Sequence, residues 1–147
     1  MWRVRAPDST QFDSPTSIVF TNNKIYIVGI RNYIDIPGEF YVFDGLLMIL
    51  NEDGSFVDFK TIHIEESDLV LYSILQVEND NLFICGNLVN NSANNTAYLA
   101  KINMSGDILW DTSYSGFYAT CAISKFDEDH IILSGIQWDG LHQNFLE

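Results

Sequence analysis

Apolar and polar positions alternate along this chain in a plan that returns three times. Its first occurrence is Ile18-Val19-Phe20-Thr21-Asn22-Asn23-Lys24-Ile25-Tyr26-Ile27-Val28-Gly29: an apolar run, a polar turn, a second apolar run, then glycine. The same plan leads from Leu75 through Asn79-Asp80-Asn81 to Gly86, and from Ser124 through Asp127-Glu128-Asp129 to Gly135. From turn to glycine the segments align without a gap, and the unit returns after roughly fifty residues, the size of a small stack of strands. Each glycine is followed by a variable loop and, in the first two units, a third apolar run with a tight turn. Leu46-Leu47-Met48-Ile49-Leu50 enters Asn51-Glu52-Asp53-Gly54-Ser55, and Tyr98-Leu99-Ala100-Lys101-Ile102 enters Asn103-Met104-Ser105-Gly106-Asp107. Glycine after Asp or Ser between β-rich runs marks a hairpin, because it accepts the positive φ that other residues resist. A fourth run follows, Phe56 to Ile62 and Ile108 to Tyr114. One unit therefore predicts four antiparallel strands in meander order. No stretch predicts helix, and Glu65-Glu66-Ser67-Asp68 reads as a connecting loop.

The third unit breaks off early. Its third strand is expected to begin at Asn144-Phe145-Leu146, matching Ala97-Tyr98-Leu99. Met1-Trp2-Arg3-Val4 resembles Leu109-Trp110-Asp111-Thr112, so the N-terminal segment is expected to supply the missing fourth strand. The second strands (Ile25 to Val28, Leu82 to Cys85, Ile131 to Leu133) are apolar at consecutive positions, which predicts burial on both faces. That environment belongs to a sheet packed between two others. The expected fold is all-β and β-propeller-like, with about three four-stranded antiparallel blades. They would span 15–64, 70–115 and 118–147 plus 1–6, within a single domain over 1–147. A β-sandwich or barrel is the competing architecture.

The run Tyr98-Leu99-Ala100-Lys101-Ile102-Asn103-Met104-Ser105-Gly106-Asp107-Ile108-Leu109-Trp110 resembles the bacterial and archaeal β-propeller repeat of cell-surface and secreted proteins. That repeat carries a Lys, a short Asp/Asn-x-x-Gly hairpin and an aromatic such as Trp. The first unit departs from it: Ile49 stands where Lys101 does, and no Trp follows Gly54. The resemblance implies four-stranded blades and no shared catalytic residues.

Charge narrows the partners. Seven Lys and Arg against twenty Asp and Glu give a formal charge of −13. Phosphate backbones and anionic lipid surfaces are bound through Lys and Arg, so neither nucleic acid nor membrane is an expected partner. No apolar run approaches the ~20 residues of a membrane span. The first residues carry no apolar leader, so the expected location is cytoplasmic, or secreted if a leader has been removed. Cys85 and Cys121 lie in apolar strand-like segments outside any metal-binding spacing; two buried thiols are the plainer reading and a disulfide the other.

Catalytic motifs are missing from the sequence. His63, His130 and His142 are not at metal-ligand spacing, and His130 reads as an exposed turn residue. No Gly-x-Ser-x-Gly elbow or phosphate-binding glycine loop occurs. Asp127-Glu128-Asp129 and Glu65-Glu66 could supply a glycosidase-like pair, but they align with polar connectors. Asn51-Glu52-Asp53-Gly54 lacks the remaining ligands of a calcium loop. Three sequons, at Asn90, Asn94 and Asn103, matter only in a secreted protein. Neither metal nor cofactor is expected.

The better binding candidates are loop aromatics: Tyr33, Phe40 and Tyr41 in the first unit and Trp138 in the third. They sit between second and third strands, on loops gathered at one rim. The expected function is a non-catalytic binding or assembly module presenting those loops to a protein or glycan partner. Two alternatives stand beside it: a glycosidase-like or other hydrolytic enzyme with acidic residues near the ring axis, and a fragment of a larger propeller. Three blades cannot close a ring without gaps, so a homodimer with six blades is the expected assembly.

Overall fold

Asn22 and Asn23 take φ of 50° and 56°, the left-handed pair that reverses the chain in a two-residue hairpin. Asn tolerates this region better than most side chains, which is why the turn falls there. It joins β1 (Phe12–Thr21) to β2 (Lys24–Tyr33); β3 (Val42–Asn51) and β4 (Phe56–Ile62) complete the first sheet in the order β1-β2-β3-β4. The second sheet repeats this order with β5 (Asp68–Glu78), β6 (Asn81–Val89), β7 (Thr96–Asn103) and β8 (Ile108–Tyr114). The third holds β9 (Ala119–Lys125), β10 (Ile131–Trp138) and β11 (Gln143–Phe145). All pairings are antiparallel, and no helix occurs among the described residues. The computed structural model describes residues 12–33, 42–78, 81–89, 95–116, 119–127, 130–138 and 143–145.

Register makes the units equivalent residue by residue. Gly29 pairs with Pro15 and Leu46, Gly86 with Leu71 and Tyr98, and Gly135 with Thr120. Just past that pair the first strand of every sheet carries one extra residue, Thr16, Tyr72 or Cys121, as a β-bulge. The glycine is there because the bulged backbone comes too close for a side chain. A Cβ on Gly86 would overlap Val70 O and sit 2.8 Å from Leu71 Cα; on Gly29 it would overlap Ser14 O and sit 2.8 Å from Pro15 Cα. The fourth strands also bulge alike, at Val57 and Leu109.

One expected alignment shifts. Ile136, the counterpart of Asn87, pairs with Phe145, whereas Asn87 pairs with Ala97. Phe145 therefore takes the place of Ala97, one residue later than the apolar pattern suggested. A single-residue slip exchanges the two faces of a strand, and three residues carry too little pattern to fix it. The N-terminal segment with Trp2 lies outside the described residues.

The sheets stack in sequence. β5 packs on β1, β2 and β3, and β9 packs on β5, β6 and β7, so each sheet's first strand leans on the sheet before it. The larger core fills the first junction: Tyr26, Val28, Leu47 and Ile49 meet Leu71, Ile74, Leu82, Ile84 and Ile102. The second junction joins Phe83, Cys85 and Leu99 to Ile123, with Leu133 beside them. Each fully buried Leu, Ile or Val contributes roughly 1.5–3 kcal/mol. Polar ties cross both junctions. Thr16 Oγ1 lies 2.8 Å from Leu71 O, Tyr26 Oη donates to Met104 O at 3.1 Å, and Thr120 N donates to Asn87 Oδ1 at 2.6 Å.

Burial of both faces, expected for every second strand, holds fully only for β6, where Leu82, Phe83, Ile84 and Cys85 are all buried. In β2, Tyr26 and Val28 are buried but Ile25 and Ile27 only partly; in β10, Ile132 is exposed. Only the middle sheet has a neighbouring sheet on each side within the described residues, although β3 of the first sheet is also buried on both faces, at Leu46, Met48 and Leu50 as well as Leu47 and Ile49.

Candidate functional site

The β4–β5 connection turns sharply. Glu66 takes φ of 61°, and Ser67 N donates to Ile64 O at 3.3 Å, closing the turn. This brings His63, Glu66, Ser67 and Asp68 to one rim, beside Val42 at the start of β3 and Val89 at the end of β6. Together with Ile64 they line an open cleft of about 480 Å³ at the junction of the first two sheets.

Two carboxylates beneath the cleft are committed to the fold. Asp44 is buried, and its Oδ1 lies 2.9 Å from His63 Nδ1. This contact holds the imidazole by its Nδ1 edge. Asp68 Oδ1 accepts the backbone N–H of Phe43 at 3.2 Å, tying the first sheet to the second. Glu65 and Glu66 face solvent at the lip, and His63 is exposed beside them. The rim is therefore acidic outside and hydrogen-bonded inside. Chemically it can attract cations and exchange hydrogen bonds through the imidazole. Among the described residues no group of three or more His, Cys, Asp or Glu could hold a metal ion.

A second cleft, of about 330 Å³, opens at the opposite end of the same junction, between the Asn22–Lys24 turn and Met104-Ser105. Tyr26 lines it, and burial raises its hydroxyl above the ordinary tyrosine value. A small apolar recess of about 190 Å³ between the second and third sheets is lined by Ala97, Tyr114, Thr120, Leu133 and Ser134.

Of the four aromatic candidates, Tyr33 closes β2 and pairs in register with Val42, which lines the rim cleft. Trp138 closes β10, paired with Gln143. Phe40 and Tyr41 lie outside the described residues. The acidic candidates separate. Asp127 Oδ1 holds its own turn, accepting from His130 N at 2.8 Å and lying 2.7 Å from His130 Nδ1, while Glu128 and Asp129 lie outside the described residues. His130 is exposed in that turn, as its alignment predicted. The calcium-like segment is a plain hairpin: Asp53 Oδ1 accepts from Ser55 N at 2.9 Å and Ser55 Oγ at 2.7 Å.

Sequence reasoning missed the Asp44–His63 pair, which joins β3 to the residue just past the end of β4. One signal was available: Asp44 is the single charged residue in the apolar run Val42 to Leu50, and a buried carboxylate there needs a donor. The chain matches no known protein family, and no characterised protein was found to be similar to it.

Proposed function

We propose that the chain is an arc of three propeller-like blades serving as a non-catalytic binding or assembly module, with the rim at the first junction as its contact surface. One observation carries the reading. The carboxylates under the cleft are occupied, Asp44 by His63 and Asp68 by Phe43 N, while Glu65 and Glu66 are left at the lip facing solvent. Glycoside hydrolysis needs two carboxyl groups free to exchange protons or attack, and these two are held. An acidic lip over a shallow cleft suits recognition instead. The overall charge of −13 favours a basic segment of a protein partner and speeds its encounter.

Titration with a short Lys-rich peptide by calorimetry tests this. Binding should weaken steeply as salt rises, because exposed charges are screened beyond ~10 Å at 0.1 M. Replacing both Glu65 and Glu66 by Lys should weaken it by at least about fivefold, given the modest worth of exposed ion pairs. Undiminished binding to that variant, selective binding of a neutral glycan, or turnover of a glycoside would each overturn the reading.

A further inference from the structure

We infer that the recess between the second and third sheets is a binding site for one small neutral ring carrying a hydroxyl group, the chemistry of a monocyclic phenol. Register accounts for the recess. Leu71 pairs with Gly86 across β5 and β6 just as Thr120 pairs with Gly135 across β9 and β10. On the facing sheets Gly45, paired with Ile62, is the counterpart of Ala97, paired with Tyr114. At the first junction leucines fill the space. Leu71 is fully buried, and a Cβ added to Gly45 would lie 2.9 Å from Leu71 Cδ1 and 2.8 Å from Leu69 Cδ2. At the second junction the position of Leu71 carries the shorter Thr120, and about 190 Å³ opens among Ala97, Tyr114, Thr120, Leu133 and Ser134.

The hydroxyl makes this more than loose packing. Thr120 is 1% exposed, and its Oγ1 has no hydrogen-bond partner among the described residues, although its backbone N–H donates to Asn87 Oδ1. The hydroxyl of Thr16 at the first junction, by contrast, lies 2.8 Å from Leu71 O. A buried hydroxyl without a partner costs free energy, so packing alone would favour at Thr120 the leucine that stands at Leu71. The recess offers one hydrogen-bonding point, Thr120 Oγ1, against apolar walls that include Ala97 and Leu133.

Size and polarity then select the ligand. An apolar cavity of about 150 Å³ holds a benzene ring, so this volume takes one six-membered ring with a small substituent and excludes fused rings. A hydroxyl on that ring supplies what Thr120 lacks, because it donates to Oγ1 or accepts from it as the geometry requires. A charged group is disfavoured, since the lining residues carry no counter-charge and an unpaired charge is costly to bury. Tyr114, an exposed residue of the lining, leaves the recess open to solvent for entry.

Phenol is the probe, with benzene as the same ring lacking the hydroxyl, each titrated into the whole chain and followed by heteronuclear NMR. Phenol should bind saturably and more tightly than benzene. It should shift the backbone N–H signals of Tyr114, Thr120 and Leu133, while those of His63 and Glu66 at the first junction stay in place. Thr120→Val keeps the shape and removes the hydroxyl. It should weaken phenol about two- to tenfold, the worth of one neutral hydrogen bond, and leave benzene unchanged. Thr120→Leu installs the residue of the first junction and should abolish binding of both; the nearly isosteric Val variant decides the matter if the Leu variant does not fold. Shifts that never saturate, equal affinity for phenol and benzene, an unchanged phenol affinity in Thr120→Val, or phenol still held by a folded Thr120→Leu would each overturn the inference. Peptide binding at the rim is read from other signals, so either reading can fail without the other.

Discussion

Gly86 and Gly116 separate two reasons for choosing glycine. Gly86 sits opposite a bulge, where an added Cβ meets backbone atoms of Val70 and Leu71 that cannot step aside. Gly116 has φ of +90° with nothing within 4 Å of a Cβ, so only its backbone conformation resists substitution. Gly86→Ala should therefore cost about 1–3 kcal/mol from overpacking, or fail to fold, while Gly116→Ala should cost about 1–2 kcal/mol from left-handed strain alone. Urea denaturation of the two variants checks the order. Gly135→Ala should behave like Gly86→Ala, because it occupies the same register; a Gly135→Ala chain as stable as wild type would break the equivalence of the third unit. Gly86 and Gly135 were legible from the repeat, since each ends a gap-free alignment, and Gly116 was not. Nor was Asn87. Its role, accepting from Thr120 N across a junction, depends on a residue 33 positions away that only packing brings near.

The Asn103–Asp107 turn is a hairpin in the sequence and a buttress in the fold. Asn103 shapes it from inside, accepting from Ser105 N and Asp107 N at 2.9 Å each, and Asp107 reaches out to Lys60. The Lys60 hydrogen bond first, and then Asn103, hold the Asp107 carboxyl below the usual carboxylate range. A lowered carboxylate contributes stability that is complete above its unfolded value of about 3.9 and fades as pH falls through its folded value. Melting curves of wild type and Asp107→Asn should therefore be separated at pH 6, wild type higher, and should converge as acid protonates the carboxylate. Curves that remain equally separated in acid would mean that Asp107 acts by shape and not by charge. The hairpins and fourth strands could be placed from sequence because turn chemistry and β-branched runs are local properties. Lys60 is one of seven cations in a chain with twenty acids, and nothing local marks it as the one that bridges.

Ile18 and Ile132 are exposed in the single chain, and the proposal of an assembling arc carries an expectation for apparent stability. If two copies close on each other, the thermal midpoint should rise with protein concentration, and Ile18→Asp should abolish that dependence by removing the native-state association. A wild-type midpoint that does not move over a hundredfold range of concentration would argue for a self-sufficient monomer. Local periodicity by itself determined the strands, their meander order, the tight turns and the glycine register, because each rests on neighbours within a few residues. It also determined that no metal or nucleophile motif is written along the chain. Tertiary structure alone decided which face of each strand is covered, since identical alternation serves a middle sheet and an end sheet equally. It decided as well that Asp44 meets His63 and that Asp68 holds Phe43, contacts across strands and sheets that no spacing encodes. The one-residue shift at Phe145 has the same origin: in a strand of three residues, the register comes from the partner strand and not from its own pattern.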